Sequence, residues 1–173
     1  MTAVSAQCTI PVPPVPFTLQ VFAVLLTGGL LGSRDGAFSQ LGYLLIGLIG
    51  APVFAGFRGG PEAIVTPSFG YLLGFVPAAA VAGLFNYRTG LLKSPFPFIL
   101  ALFPIYLAGP AYLFFIAPLT IGKTLTIAQA FGIGVVPFIV PDIIKALLAW
   151  VICFRLSKIP NLCYRQSDRL KES

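Results

Sequence analysis

Residues 136–150 read VPFIVPDIIKALLAW, an apolar run broken only by Asp142 and Lys145. A spacing of three sets these two side chains on one helix face, where they can pair or share a partner. Ionisable groups within a membrane segment are costly, so they mark a functional site by default. Two readings of the pair stand at this level, a ligand site and a structural intramembrane ion pair.

The rest of the chain supplies the membrane. Further apolar segments occupy residues 17–32, 36–55, 68–85 and 95–117, and the last span runs from about 141 to about 155. Charged residues make up 9% of the chain, against roughly 25% in soluble domains. With a mean hydropathy of +0.94, these runs predict an all-α, polytopic membrane helix bundle forming one domain over residues 1–173. The runs are too continuous, and Pro too frequent, for the alternation of a membrane barrel.

Taken in order, residues 1–9 are too short to span and read as a tail or as the last turns of a helix. Residues 10–16 (IPVPPVP) hold four prolines and are expected to be an extended or turning outer loop. Backbone of that kind is tolerated at membrane depth only where protein or water covers it. Five spans fill residues 17–157, and residues 158–173 form a basic tail. Gly28 and Gly32 have the spacing that lets helices approach closely, for packing within the bundle or for docking a partner subunit. Pro104 and Gly109-Pro110 predict a kink in the fourth span. Residues 118–134 are expected to be a polar connector with a short helical turn around 127–131.

The net charge of +6 falls in short loops and in the tail, a pattern that orients a membrane protein and does not point to nucleic acid. A cytoplasmic tail puts Arg34, Arg88, Lys93, Arg155, Lys158, Arg165, Arg169 and Lys171 inside, against Arg58 and Lys123 outside. The predicted location is the plasma membrane, multi-pass, with the C-terminus cytoplasmic. Asp142 lies roughly 20 Å from Arg155 at about 1.5 Å per residue, which sinks the pair below the outer surface. Cys8, Cys153 and Cys163 lack metal or disulfide spacing, and the absence of His argues against a catalytic zinc. No metal, cofactor or cleavable signal peptide is expected. With five acidic residues and no clustered carboxylates, an intramembrane enzyme is disfavoured.

Five blocks carry a family resemblance: PVPPVPFTLQ (11–20), GGLLGSR (28–34), GLIGAPVFA (47–55), PSFGYLLGF (67–75), and VPF (136–138) with DIIK (142–145). In this order, over nearly the whole chain, they resemble BioY, the biotin-binding S components of energy-coupling factor (ECF) transporters. The resemblance implies a fold of six helices, with biotin held near the outer face by helices four to six and their loops. It also implies a transmembrane coupling protein and cytoplasmic ATPase subunits as partners, besides membrane lipid. The family's last-helix Asp and Lys contact biotin and correspond to Asp142 and Lys145.

Two departures stand out. Only the end of the family's first helix is represented, in residues 1–9, for which a misassigned start codon is the simplest explanation. Pro141 stands where Gly commonly precedes the motif Asp, and it would suit the first position of a helix beginning there.

Biotin presents two ureido N–H donors, a ureido carbonyl, apolar rings and a carboxylate. Asp142 can accept the ureido N–H groups with charge assistance, and at a first helical turn the macrodipole would favour it. Lys145 can neutralise Asp142, donate to the ureido carbonyl or meet the carboxylate. Arg58 is the loop candidate for the carboxylate. Tyr71 and Phe69 can line the rings or anchor the interface, Gly70 permits close approach, and Thr18 and Gln20 are candidate donors. Tyr43, Tyr106 and Tyr112 are read as packing. The function these residues imply is biotin capture; the alternatives are an S component for another vitamin or a non-transport intramembrane scaffold.

Overall fold

The computed structural model describes residues 1–84, 94–120, 122 and 124–157. Arg88, Lys93, Lys123, Cys163 and the basic tail from Lys158 onward lie outside the described residues. The helices are α1 (Thr2–Gln7), α2 (Gln20–Leu31), α3 (Ser33–Ile49), α4 (Phe69–Leu84), α5 (Phe96–Leu100), α6 (Leu102–Thr120), α7 (Ile127–Gly134) and α8 (Val136–Leu156). Among the described residues, grouping α5 with α6 and setting the short α7 aside leaves six helices in the expected order, α1 being the first.

The proline loop is the tip of a hairpin. Thr9–Ile10 (β1) pairs antiparallel with Phe17–Thr18 (β2), in the register Thr9 with Thr18 and Ile10 with Phe17. The intervening prolines lack the N–H groups that a longer ladder would need, so the pairing stops after two residues.

Apolar side chains cover the outer surface as well as the core. Gln20, Thr27, Gln40 and Asp142 are buried, whereas Ile49 is 86% exposed and Phe115 is 75% exposed. The segments Phe96–Thr120 and Val136–Leu156 are long and apolar enough to cross a bilayer. Helices apolar on their outer faces need a hydrocarbon solvent.

Helix α4 is the hub, because small residues on several of its sides let neighbours approach closely. A Cβ at Gly74 would come within 2.8 Å of the Ile105 Cα on α6, and one at Gly28 of α2 would press on the Ala79 carbonyl of α4. A Cβ at Gly36 of α3 would lie 2.9 Å from the Gly28 Cα. Gly28 thus packs within the bundle. Gly32 does not share its face: with φ +93 it ends α2 and starts α3 through a single residue, a geometry that suits glycine.

Several boundaries differ from the sequence reading. Arg34 and Asp35 form the first turn of α3 and not a loop before it, and α3 ends at Ile49, short of residue 55. The break in the fourth span falls at Ala101, since Pro104 has no N–H for the Leu100 carbonyl one turn back. Pro110 stays inside α6. The connector's helical turn is the full α7, started by a capping box between Thr126 and Gln129. Finally, α8 begins at Val136 with Pro137 in its first turn, and Pro141 is internal. Asp142 is therefore not in the first turn, and the macrodipole has faded at its position.

The α2–α3–α4 crossing should not accept larger side chains. Gly36→Val is expected to destabilise the folded protein by about 1–3 kcal/mol through overpacking. Gly42→Ala, where a Cβ meets nothing within 4 Å, should leave stability unchanged or slightly higher. Thermal unfolding of both variants in one detergent checks this.

Candidate functional site

A cavity of about 390 Å³ opens between the hairpin, the loop after α3, α4 and α8. Its apolar wall includes Phe75, Ile105 and Phe138, together with the prolines of the hairpin. Phe17 stacks on Phe138 with ring centroids 4.4 Å apart, fixing β2 against α8. The Tyr71 ring lies 6.3 Å from that of Phe138. Its hydroxyl donates to the Gly134 carbonyl at 2.8 Å, which pins the α7–α8 junction to α4.

At the polar end Lys145 Nζ lies 2.8 Å from Asp142 Oδ1. Asp142 is 2% exposed, and such burial requires partners beyond one cation. The Tyr106 hydroxyl donates to Asp142 Oδ2 at 2.9 Å, and Lys145 Nζ donates to the Thr18 carbonyl at 2.7 Å. The pair therefore joins α6, α8 and β2. Each carboxylate oxygen holds one of these partners and retains acceptor capacity, while the ammonium has a third proton to give.

Thr18 and Gln20 extend the polar wall. Thr18 Oγ1 donates to Gln20 Oε1 at 3.0 Å, and Gln20 Nε2 donates to the Tyr43 hydroxyl at 2.7 Å. Arg58 lines the cavity too. It also lines an adjoining cavity of about 420 Å³ with Phe57, Gly59, Glu62, Ala63 and Thr66. Among the described residues its guanidinium makes no ion pair.

Six residues singled out from the sequence, Asp142, Lys145, Tyr71, Thr18, Gln20 and Arg58, thus line one cavity. Phe69 and Gly70 do not. Phe69 packs on Tyr112 with centroids 5.8 Å apart, and the space a Gly70 side chain would need is filled by Tyr112. Both serve the α4–α6 contact. Tyr106 is more than packing, because it holds the Asp142 carboxylate; the signal for it was only that a buried phenol hydroxyl requires a partner. Thr66, Ser68, Phe75 and Phe138 line the cavity without having been singled out.

Comparison with known proteins agrees along the chain. A family model described as "BioY family" matches residues 1–161. The "Probable biotin transporter BioY" of Pyrococcus horikoshii is 42% identical over 156 residues, 90% of this chain and 89% of that protein. The "Biotin transporter BioY" of Thermotoga maritima is 39% identical over 164 residues, 92% of this chain and 90% of that protein. The crystal structure of the S-component for biotin from an ECF-type ABC transporter superposes with a TM-score of 0.76 at 28% identity, covering 91% of this chain and 85% of that one.

The buried pair should reveal itself in stability. Lys145→Met, which leaves Asp142 without its cation, is expected to cost about 3–5 kcal/mol. Adding Asp142→Leu to that variant should recover most of the loss, because no orphaned charge remains. Denaturant unfolding in detergent micelles measures both.

Proposed function

The chain belongs to the BioY family, and from that membership we propose that it is the biotin-binding S component of an ECF transporter, capturing the vitamin within the membrane for uptake. The observation that carries the reading is the buried Asp142–Lys145 pair facing a cavity with apolar walls. The volume of about 390 Å³ sits at the lower end of the range for small-molecule sites, about 300–1,000 Å³.

In this reading the ureido ring lies at the polar end. Asp142 accepts its N–H groups through the acceptor capacity left beside Lys145 and Tyr106, and the third Lys145 proton goes to the ureido carbonyl. Both are charge-assisted and so stronger than neutral bonds. The thioether ring and valeryl chain run along Phe75, Ile105 and Phe138, and Tyr71 adds its ring face. The carboxylate points towards Arg58, whose guanidinium matches it in a two-point contact. Thr18 and Gln20 hold the wall in register.

No bond is made or broken in this site. The work of transport falls to partners, a transmembrane coupling protein and cytoplasmic ATPase subunits. The bundle places Arg34 and Arg155 at one end, since Gly83 abuts the Gly32–Ser33 junction and Gly29 abuts Cys153. That end is the cytoplasmic one in this proposal, which exposes the cavity end to the outside and leaves the C-terminus inside the cell at the plasma membrane.

Isothermal titration of the detergent-purified protein with biotin tests the reading. Saturable binding, undiminished by excess thiamine or riboflavin, is expected; displacement by either vitamin would favour a different S component, and absence of binding would sink the proposal. Asp142→Asn keeps the shape and an oxygen for Lys145 but removes the charge. Measured on the folded protein, it should weaken biotin binding by about tenfold or more, equal to about 1.4 kcal/mol, with some loss of stability because Lys145 is left without its counter-ion.

A further inference from the structure

The turn that carries Arg58 is held from behind by two side chains that do not line the cavity. Gln7, at the end of α1, clamps it in two places: Nε2 donates to the Phe54 carbonyl at 3.1 Å, and Oε1 accepts the Phe57 N–H at 3.0 Å. Tyr43, on α3, donates to the Val53 carbonyl at 3.1 Å and sets its ring edge-on to Phe54. Within the turn the Phe54 N–H donates to the Arg58 carbonyl at 2.9 Å. Gly56 (φ +72) and Phe57 (φ +58) both have left-handed backbone. For Phe57 that conformation is unfavourable, so the turn needs outside support, and the Gln7 amide meets the very N–H that this conformation presents.

Tyr43 also closes a chain of contacts that begins at the charge pair. Lys145 donates to the Thr18 carbonyl, Thr18 Oγ1 to Gln20, Gln20 Nε2 to the Tyr43 hydroxyl, and Tyr43 to Val53. The series thus runs from the charge pair to Val53, in the segment that leads into the turn of Arg58.

We infer that Gln7 and Tyr43 are positioning residues that present Arg58 to the acidic end of the ligand. This rests on the assignment of Arg58 to the biotin carboxylate. Neither residue lines the cavity; Gln7 acts through the turn, and Tyr43 through the segment leading into it and through its bond from Gln20. They should govern affinity for the anionic end of biotin and leave recognition of the ureido ring unchanged.

The test compares biotin with its neutral carboxamide in Arg58→Ala, Gln7→Ala and Tyr43→Phe proteins, with thermal unfolding recorded for each. Arg58→Ala is expected to bind biotin roughly ten- to a hundredfold more weakly, the range for losing a hydrogen bond to a charged group, and Gln7→Ala and Tyr43→Phe about three- to tenfold, the range for an ordinary hydrogen bond, while each binds the carboxamide as the unaltered protein does. In the Arg58→Ala background, adding Tyr43→Phe or Gln7→Ala should cause no further loss. If Arg58→Ala leaves biotin affinity unchanged, the carboxylate assignment fails and the inference with it. If Arg58→Ala weakens biotin binding but the other two variants do not, only the inference fails. Equal weakening for biotin and the carboxamide, or additive losses in the double variants, would make Gln7 and Tyr43 merely structural and overturn it.

Discussion

The structure depends on satisfying a carboxylate and an ammonium that are largely withdrawn from water. Removing two charges from water costs more than their mutual attraction returns unless further hydrogen bonds satisfy them. Here Tyr106 supplies one such bond and the Thr18 carbonyl another. Those partners come from α6 and from β2, so satisfying the pair on α8 fixes two other parts of the chain beside it. The hairpin needs this tether, since a two-residue ladder is too short to hold its place. The ion pair therefore builds the wall of the cavity as well as its polar end.

The apolar side of the architecture is governed by α4. Ala78, Ala79 and Ala82 are fully buried, and the glycines that meet this helix let backbones touch where side chains would keep them apart. Close approach on one half of the bundle leaves room for irregular chain on the other. The hairpin and the loop after α3 are irregular backbone of the kind that hydrocarbon excludes, and they are gathered around a cavity where their polar groups find partners.

Much of this was legible in the sequence. The spans follow from apolar runs, and the Asp142–Lys145 contact follows from a spacing of three on a helix. Alternation of spans puts the segments of Arg58, Thr18, Gln20 and Tyr71 on one side, and in the structure these four residues line one cavity. Boundaries were less legible where proline was the signal. Pro141 has the residue type of a helix start but lies inside α8, because Pro137 already occupies that role. Phe69 and Gly70 sit beside Tyr71 in sequence, but on a helix only one face reaches the cavity, and theirs meets α6. Tyr106 was not legible as a partner of Asp142 for a related reason. The two are 36 residues apart, on helices whose relative rotation no local pattern encodes.

The Lys145–Thr18 contact joins positions 127 residues apart, and it ties the order of synthesis to the appearance of the site. The hairpin and the helices from α2 to α6 leave the ribosome before α8, and until α8 arrives the hairpin lacks its tether and the cavity its charged floor. Docking of the last helix is thus the step that makes the protein competent. A nascent chain stalled before that step would hold several inserted helices and no finished site.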